Sequence, residues 1–231
     1  TREGVLPTIV SRCQVVPFRH IPAQEAAGIL SQKVGVTPER ARMAIEACDG
    51  SITQAISFAK SSERTEFRAR VMEVLAGLAV ADARDVLEYA AELIERAKAP
   101  LDNVRTEQSE ELAESADFLT KTAIRQIELR HKRALTQATR TSLKQMTAII
   151  RSWLRDVLMV VSGTPELMVN IDQRSAVEAA AARVNVEGLM RALREAYKTD
   201  EALSYNVSPE TCLDTLLFTI REVLHGSGNT Y

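Results

Sequence analysis

The residues able to do chemistry in this sequence are three histidines, three cysteines and one dense run of cations. His20, His131 and His225 have no second histidine at metal-ligand spacing. Each reads as a surface or satisfied core histidine. Cys13, Cys48 and Cys212 are odd in number and far apart, with no CxxC pair. That pattern argues against a zinc site or a disulfide framework and fits a reducing cytoplasm. A nucleophilic Cys13 would need a histidine and an orienting partner at a recognisable place. Without them it reads as a small buried hydrophobe. No G-x-x-x-x-G-K-[ST] loop occurs among the nine glycines, so no tight nucleotide site is expected. Neither a hydrolase nor a metalloenzyme constellation is present.

The cations are concentrated in one stretch. Lys121–Arg155 carries nine basic residues and one acidic, whereas Asp82–Asp117 carries eleven acidic and four basic. If the chain doubles back between them, the two helices can set opposite charges face to face. Exposed pairs of that kind are worth only ~0–1 kcal/mol each. Three readings stay open for Arg125, Arg130, Lys132, Arg133, Arg140 and Lys144: a solvated or intramolecular face, a partner-docking face, or a face for phosphates. With no aromatic residue among them, base readout is not indicated. The overall formal charge of −2 gives no independent reason to expect nucleic acid.

The elements that must position these residues are helices. Aromatics make up only 4% of the 231 residues, and Ala, Leu, Glu, Arg and Val dominate, a bias that favours helix. Residues 1–20 differ: Pro and β-branched residues from Val5 to Phe18 predict an extended segment with a short strand around Gln14–Val16. After Ile21-Pro22 a helix runs to about Lys33 and closes at Gly35. Thr37-Pro38-Glu39 opens a second, which stops at Asp49-Gly50, and Ser51 caps a third to about Ser61. Phe67, Val71, Val74, Leu75 and Leu78 mark another helix, and Asp82 caps the next. Pro100 breaks the chain. From Thr106 to Val161 there is neither Pro nor Gly, which predicts one or two long helices. The clearest apolar stripe lies in their second half: Leu143, Met146, Ile150, Trp153, Leu154, Val157, Leu158 and Val161. Trp153 belongs to that stripe and reads as core. Gly163-Thr164-Pro165 ends it. Helices near Gln173–Val184 and Val186–Tyr197 come next, then a last one capped by Ser208-Pro209-Glu210, and a tail from Gly226 to Tyr231 expected to fray. The expectation is an all-α protein in three parts: 1–20, a three-helix unit at 21–62, and a larger helical domain at 63–231. No apolar run approaches the roughly 18 residues of a membrane helix. The chain opens on Thr1 without a signal-like stretch and reads as part of a longer protein.

Leu6-Pro7-Thr8-Ile9-Val10-Ser11-Arg12-Cys13 resembles the LPTIxSRC signature of clamp-loader ATPase subunits. The resemblance implies that residues 1–20 end an AAA+ core, that 21–62 form its lid, and that 63–231 form an oligomerising collar. It further implies that Arg12 is a catalytic arginine finger acting in trans on ATP held by a neighbouring subunit. Such a site uses Arg because a planar, permanently charged fork meets the charge developing on a transferred phosphoryl group. By itself Arg12 reads as a solvated strand end. Asp49-Gly50-Ser51-Ile52-Thr53-Gln54 falls on the lid's sensor 2 stretch, where ATP-binding members carry an arginine. Thr53 stands there instead, which favours the non-hydrolysing δ′ type over γ/τ. Trp153-Leu154-Arg155-Asp156-Val157-Leu158, Leu167-Met168-Val169-Asn170-Ile171-Asp172 and Asn206-Val207-Ser208-Pro209 are similar to stretches of bacterial δ′ C-terminal domains. Arg130–Arg140 is similar to a basic stretch of actinobacterial members. The implied setting is the DNA polymerase III holoenzyme in the bacterial cytoplasm. The implied partners are δ and γ/τ directly, and the sliding clamp and primed DNA indirectly. No cofactor, metal, membrane or small-molecule substrate is implied for this chain.

Two other readings remain: a γ/τ-type clamp-loader piece, or a free-standing helical DNA-binding regulator. The latter would use Pro38–Cys48 and Ile52–Ser61 as a helix-turn-helix, but Ile52–Ser61 offers one basic residue, Lys60, and no arginine to read guanine.

Overall fold

Helix boundaries obey local chemistry closely. In the computed structural model, which describes residues 6–10, 12–14, 21–115, 119–205 and 207–225, every regular element is a helix. A single turn, α1 (Pro7–Val10), precedes α2 (Ala23–Val34), α3 (Pro38–Ala47) and α4 (Ile52–Lys60). Gly35 closes α2 in the left-handed region at φ 73°, its N–H donating to the Ser31 carbonyl. The Thr37 hydroxyl accepts from the Arg40 N–H with Pro38 in the first turn, and Ser51 accepts from the Gln54 N–H. Between α3 and α4 the chain passes through two consecutive left-handed residues, Asp49 at φ 50° and Gly50 at φ 81°. The three helices close over small residues, including Ala26, Ala41, Ala44 and Ala55, together with Leu30, Ile45 and Phe58.

No linker separates the three-helix unit from the fifth helix. Ser61 ends α4 and also caps α5 (Ser62–Gly77), accepting from the Arg64 N–H. Asp82 and Asp85 form a reciprocal capping box at the start of α6 (Ala83–Lys98). Pro100 breaks the helix as expected, and it also starts the next: α7 (Pro100–Ser115) comes after Ala99 alone. The Pro- and Gly-free stretch resolves into α7 and the 41-residue α8 (Lys121–Val161), which Thr120 caps. Two 3-10 turns, Pro165–Leu167 and Ile171–Gln173, lead into α9 (Arg174–Ala181), then α10 (Val186–Ala202) and α11 (Pro209–His225).

α8 is roughly 62 Å long at about 1.5 Å per residue, and its two halves live in different surroundings. From Leu143 to Val157 it is buried on nearly every side, packed by α3, α5, α6, α9 and α10. Trp153 is fully buried at its centre, while Leu158 and Val161 at the end of the stripe are half-buried. No described residue from Lys121 to Ser142 is buried, and α7, apart from Leu101, buries none of its described residues either. These two segments form a helical hairpin, an arm, seamed by Val104, Gln108 and Leu112 against Ile124, Ile127, His131 and Leu135, all half-buried. One apolar cluster runs from Ala26 in α2 to Leu224 in α11, so the three-helix unit and the C-terminal helices share their core.

The extended segment expected from Val5 to Phe18 is corrected at Pro7–Val10, which is a helical turn. Among the described residues there is no strand to pair with it. The backbone satisfies itself locally instead, Ile9 N–H donating to the Leu6 carbonyl and Arg12 N–H to that of Ile9. Val15, Val16, His20, Asn206 and the tail 226–231 lie outside the described residues.

Candidate functional site

Arg12 sits on the turn just after α1, exposed, with its Nη1 donating to the Thr8 carbonyl at 3.0 Å. Neighbouring Cys13 is exposed as well, which corrects the expectation of a buried hydrophobe. The reason is position: the described residues between 6 and 14 contribute nothing to the apolar cluster, so no core exists there to receive the thiol. Cys48 and Cys212 are the buried cysteines. Desolvation pushes the Cys48 thiol up to about 11, opposed by a hydrogen bond from Gln145, and leaves it protonated and inert. Thr53 is exposed on α4 and brings no charge. The structure does not bring Arg12 together with any of these residues.

The second concentration of polar chemistry joins α8 to the loop at its C-terminal end. Asp156, fully buried, accepts from the backbone N–H groups of Val169 at 3.0 Å and Asn170 at 2.7 Å, and from the Asn170 side-chain amide at 2.8 Å. The same amide donates to Ser152 at 2.9 Å, and the Asn170 Oδ1 accepts from Arg68 at 2.7 Å. Arg68, itself buried in α5, then forks onto both carboxylate oxygens of Asp172 at 2.9 and 3.0 Å. Burial would raise the Asp172 carboxyl, but the Arg68 fork outweighs it and holds the group below its usual range. The two stretches 153–158 and 167–172 are therefore parts of one hydrogen-bonded clamp, in which a buried carboxylate substitutes for the partners that a turning backbone lacks.

A third set of contacts fixes the three-helix unit onto α8. Arg155 reaches Glu46 at 2.9 Å, and Arg151 reaches Asp49 at 3.2 Å and Asp200 at 3.1 Å while lying over the Tyr197 ring. The Thr147 hydroxyl donates to Asp200 at 2.7 Å, and the Gln145 amide donates to the Cys48 sulfur at 3.2 Å. Between these elements lies an open cleft of about 290 Å³ lined by Asp49, Ser51, Gln54, Lys144, Arg151 and Asp200, among others. Its cations face carboxylates already, and no nucleophile–base pair lines it. It is a joint, with nothing in its lining that performs a reaction.

Sequence reasoning missed these partners because they lie far along the chain. A signal was present in charged Arg151, Arg155 and Asp156 interrupting the most apolar stretch of the protein, where each charge needs a buried partner. Of the two described histidines, His131 sits in the arm's seam with its Nε2 3.4 Å from Glu111, and His225 is exposed. No grouping of His, Cys, Asp and Glu among the described residues suits a metal ion. No helix of the described residues is long and apolar enough to cross a membrane.

Residues 110–221 match the family model of the DNA polymerase III delta subunit, C terminal. The matched region begins near the end of α7, takes in all of α8, α9 and α10, and reaches into α11. Over its C-terminal helices the chain is thus similar to the C-terminal domain of that polymerase subunit. Comparison with curated proteins and with solved structures gives no match.

Proposed function

We propose that this chain is a subunit of a bacterial replicative clamp loader, of the non-hydrolysing δ′ type. In this reading residues 63–231 are the collar through which it assembles with δ and γ/τ, working in the cytoplasm on behalf of the sliding clamp and primed DNA. The observation that carries the proposal is the match of residues 110–221 to the delta C-terminal domain, because it falls on α8 and the helices packed around it. Leu6–Cys13 adds the Ser-Arg-Cys signature, and Thr53 adds the missing sensor charge that favours δ′.

Arg12 is the residue we assign to chemistry, as an arginine finger reaching ATP on a neighbouring subunit. Its exposure outside the core, on a turn capped by its own contact to Thr8, leaves the guanidinium accessible to such a neighbour. Related fingers contribute ~10³–10⁵ in rate, although one of several sites in a loader shows less in total turnover. Arg12→Ala is expected to leave a reconstituted loader assembled and to lower its DNA-stimulated ATP hydrolysis. Arg12→Lys should rescue little, since a point charge lacks the fork. An unchanged hydrolysis rate in Arg12→Ala, with assembly verified by gel filtration, would remove the finger and leave the collar alone. A second reading, a δ-type subunit, is favoured by the description of the matched model. It predicts the same assembly without the Arg12 effect.

A further inference from the structure

The arm's exposed side is charged with a single sign. At about 100° per residue, Lys121, Arg125, Lys132, Arg133 and Arg140 of α8 fall within an arc of roughly 120°. The seam residues Ile124, Ile127, His131 and Leu135 lie on the other side of the helix, toward α7. No acidic residue enters that arc; Glu128 lies at its margin, on the seam side. From Lys121 to Arg140 the stripe extends roughly 28 Å at about 1.5 Å per residue. Lys121, Arg125, Lys132 and Arg133 are exposed and Arg140 half-exposed. Beyond Arg140 the helix sinks into the body at Leu143, and the next cation, Lys144, turns to Asp200 at 3.7 Å. α7 carries exposed acids such as Asp102, Glu110 and Glu111, so the arm is polarised across its width.

We propose that this stripe is a docking surface for the phosphate backbone of duplex DNA, bound without regard to sequence. A straight rod of cations matches a linear polyanion that offers about one charge per 1.7 Å of axis. A protein partner of ordinary kind is disfavoured because such interfaces centre on a desolvated apolar patch. The exposed large apolar side chain within the arc is Leu129, at 48% exposure. Gln137, lining the same groove as Lys132, Arg133 and Arg140, adds a neutral amide donor suited to phosphate oxygens. The absence of aromatic residues along the arc removes base stacking, which is why the surface positions without reading.

The test uses this chain alone, so its failure would leave the assembly reading untouched. Fluorescence anisotropy with a mixed-sequence duplex of about 20 base pairs, from ~50 to ~200 mM salt, should give a log–log slope of about −4 for four to five phosphate contacts. A second duplex of unrelated sequence should bind equally. The triple variant R125Q/K132Q/R133Q should lose about tenfold or more in affinity at ~50 mM salt, and its slope should flatten by about 2.7. Its circular dichroism should not change. No binding of the unaltered chain at low salt, or equal binding by the folded triple variant, would overturn the proposal. So would polyglutamate competing as well as DNA at equal charge, since that outcome identifies an acidic protein as the occupant.

Discussion

Asp156 is the residue on which the C-terminal part of the core turns. It lies in the most apolar stretch of the chain and accepts from two consecutive backbone N–H groups and from the Asn170 side chain, all buried. Asp156→Ala would orphan those donors and remove one of the two carboxylates that Arg155 meets, leaving it Glu46. Breaking a buried charged network of this kind costs about 3–5 kcal/mol, so urea denaturation should show a large loss, with the helical signal intact in the absence of denaturant. A loss under about 1 kcal/mol, the range of an exposed pair, would mean that the 168–172 turn is held by packing instead. Arg12 is the opposite case, an exposed charge whose removal should cost the fold nothing and any partner's chemistry a great deal.

Elements were legible in the sequence wherever the signal was local. Thr37-Pro38-Glu39, Asp49-Gly50-Ser51 and Asp82 each carry a local cap or turn signal, and each marks a helix end in the structure. The stripe from Leu143 to Val157 was readable because a 3.6-residue period does not depend on the elements packed against it. Long-range contacts left no such trace. Arg68 with Asp172 and Arg155 with Glu46 lie 104 and 109 positions apart, and nothing in either neighbourhood names the other. At Pro7–Val10, β-branched composition pointed to an extended chain while local hydrogen bonding produced a turn. The shared Ser61 cap ties α4 to α5, and the Arg155–Glu46 and Arg151–Asp49 pairs tie the three-helix unit to α8. Truncation to residues 63–231 should therefore yield a folded but weaker domain, with a midpoint several degrees lower, about 2–4 °C for each kcal/mol lost at this size. Equal midpoints for the full chain and the truncation, by circular dichroism, would show that the shared core adds nothing.

At the scale of the whole molecule, α8 is the organising element. Its buried half gathers α3, α5, α6, α9 and α10 around Trp153, and its exposed half projects with α7 as an arm whose basic side faces outward. The region similar to the delta C-terminal domain contains both halves. In the proposed reading this helical body holds neighbouring subunits, and the exposed Arg12 acts on the ligand one of them binds. The central claim is tested most directly by mixing the purified chain with δ and γ/τ and tracking the components by gel filtration. The expected result is a stoichiometric co-eluting complex that survives added salt, as assembly through the proposed collar by apolar packing, which salt screens little, requires. Elution of this chain by itself, at its own monomer volume and with δ and γ/τ assembled without it, would contradict the account.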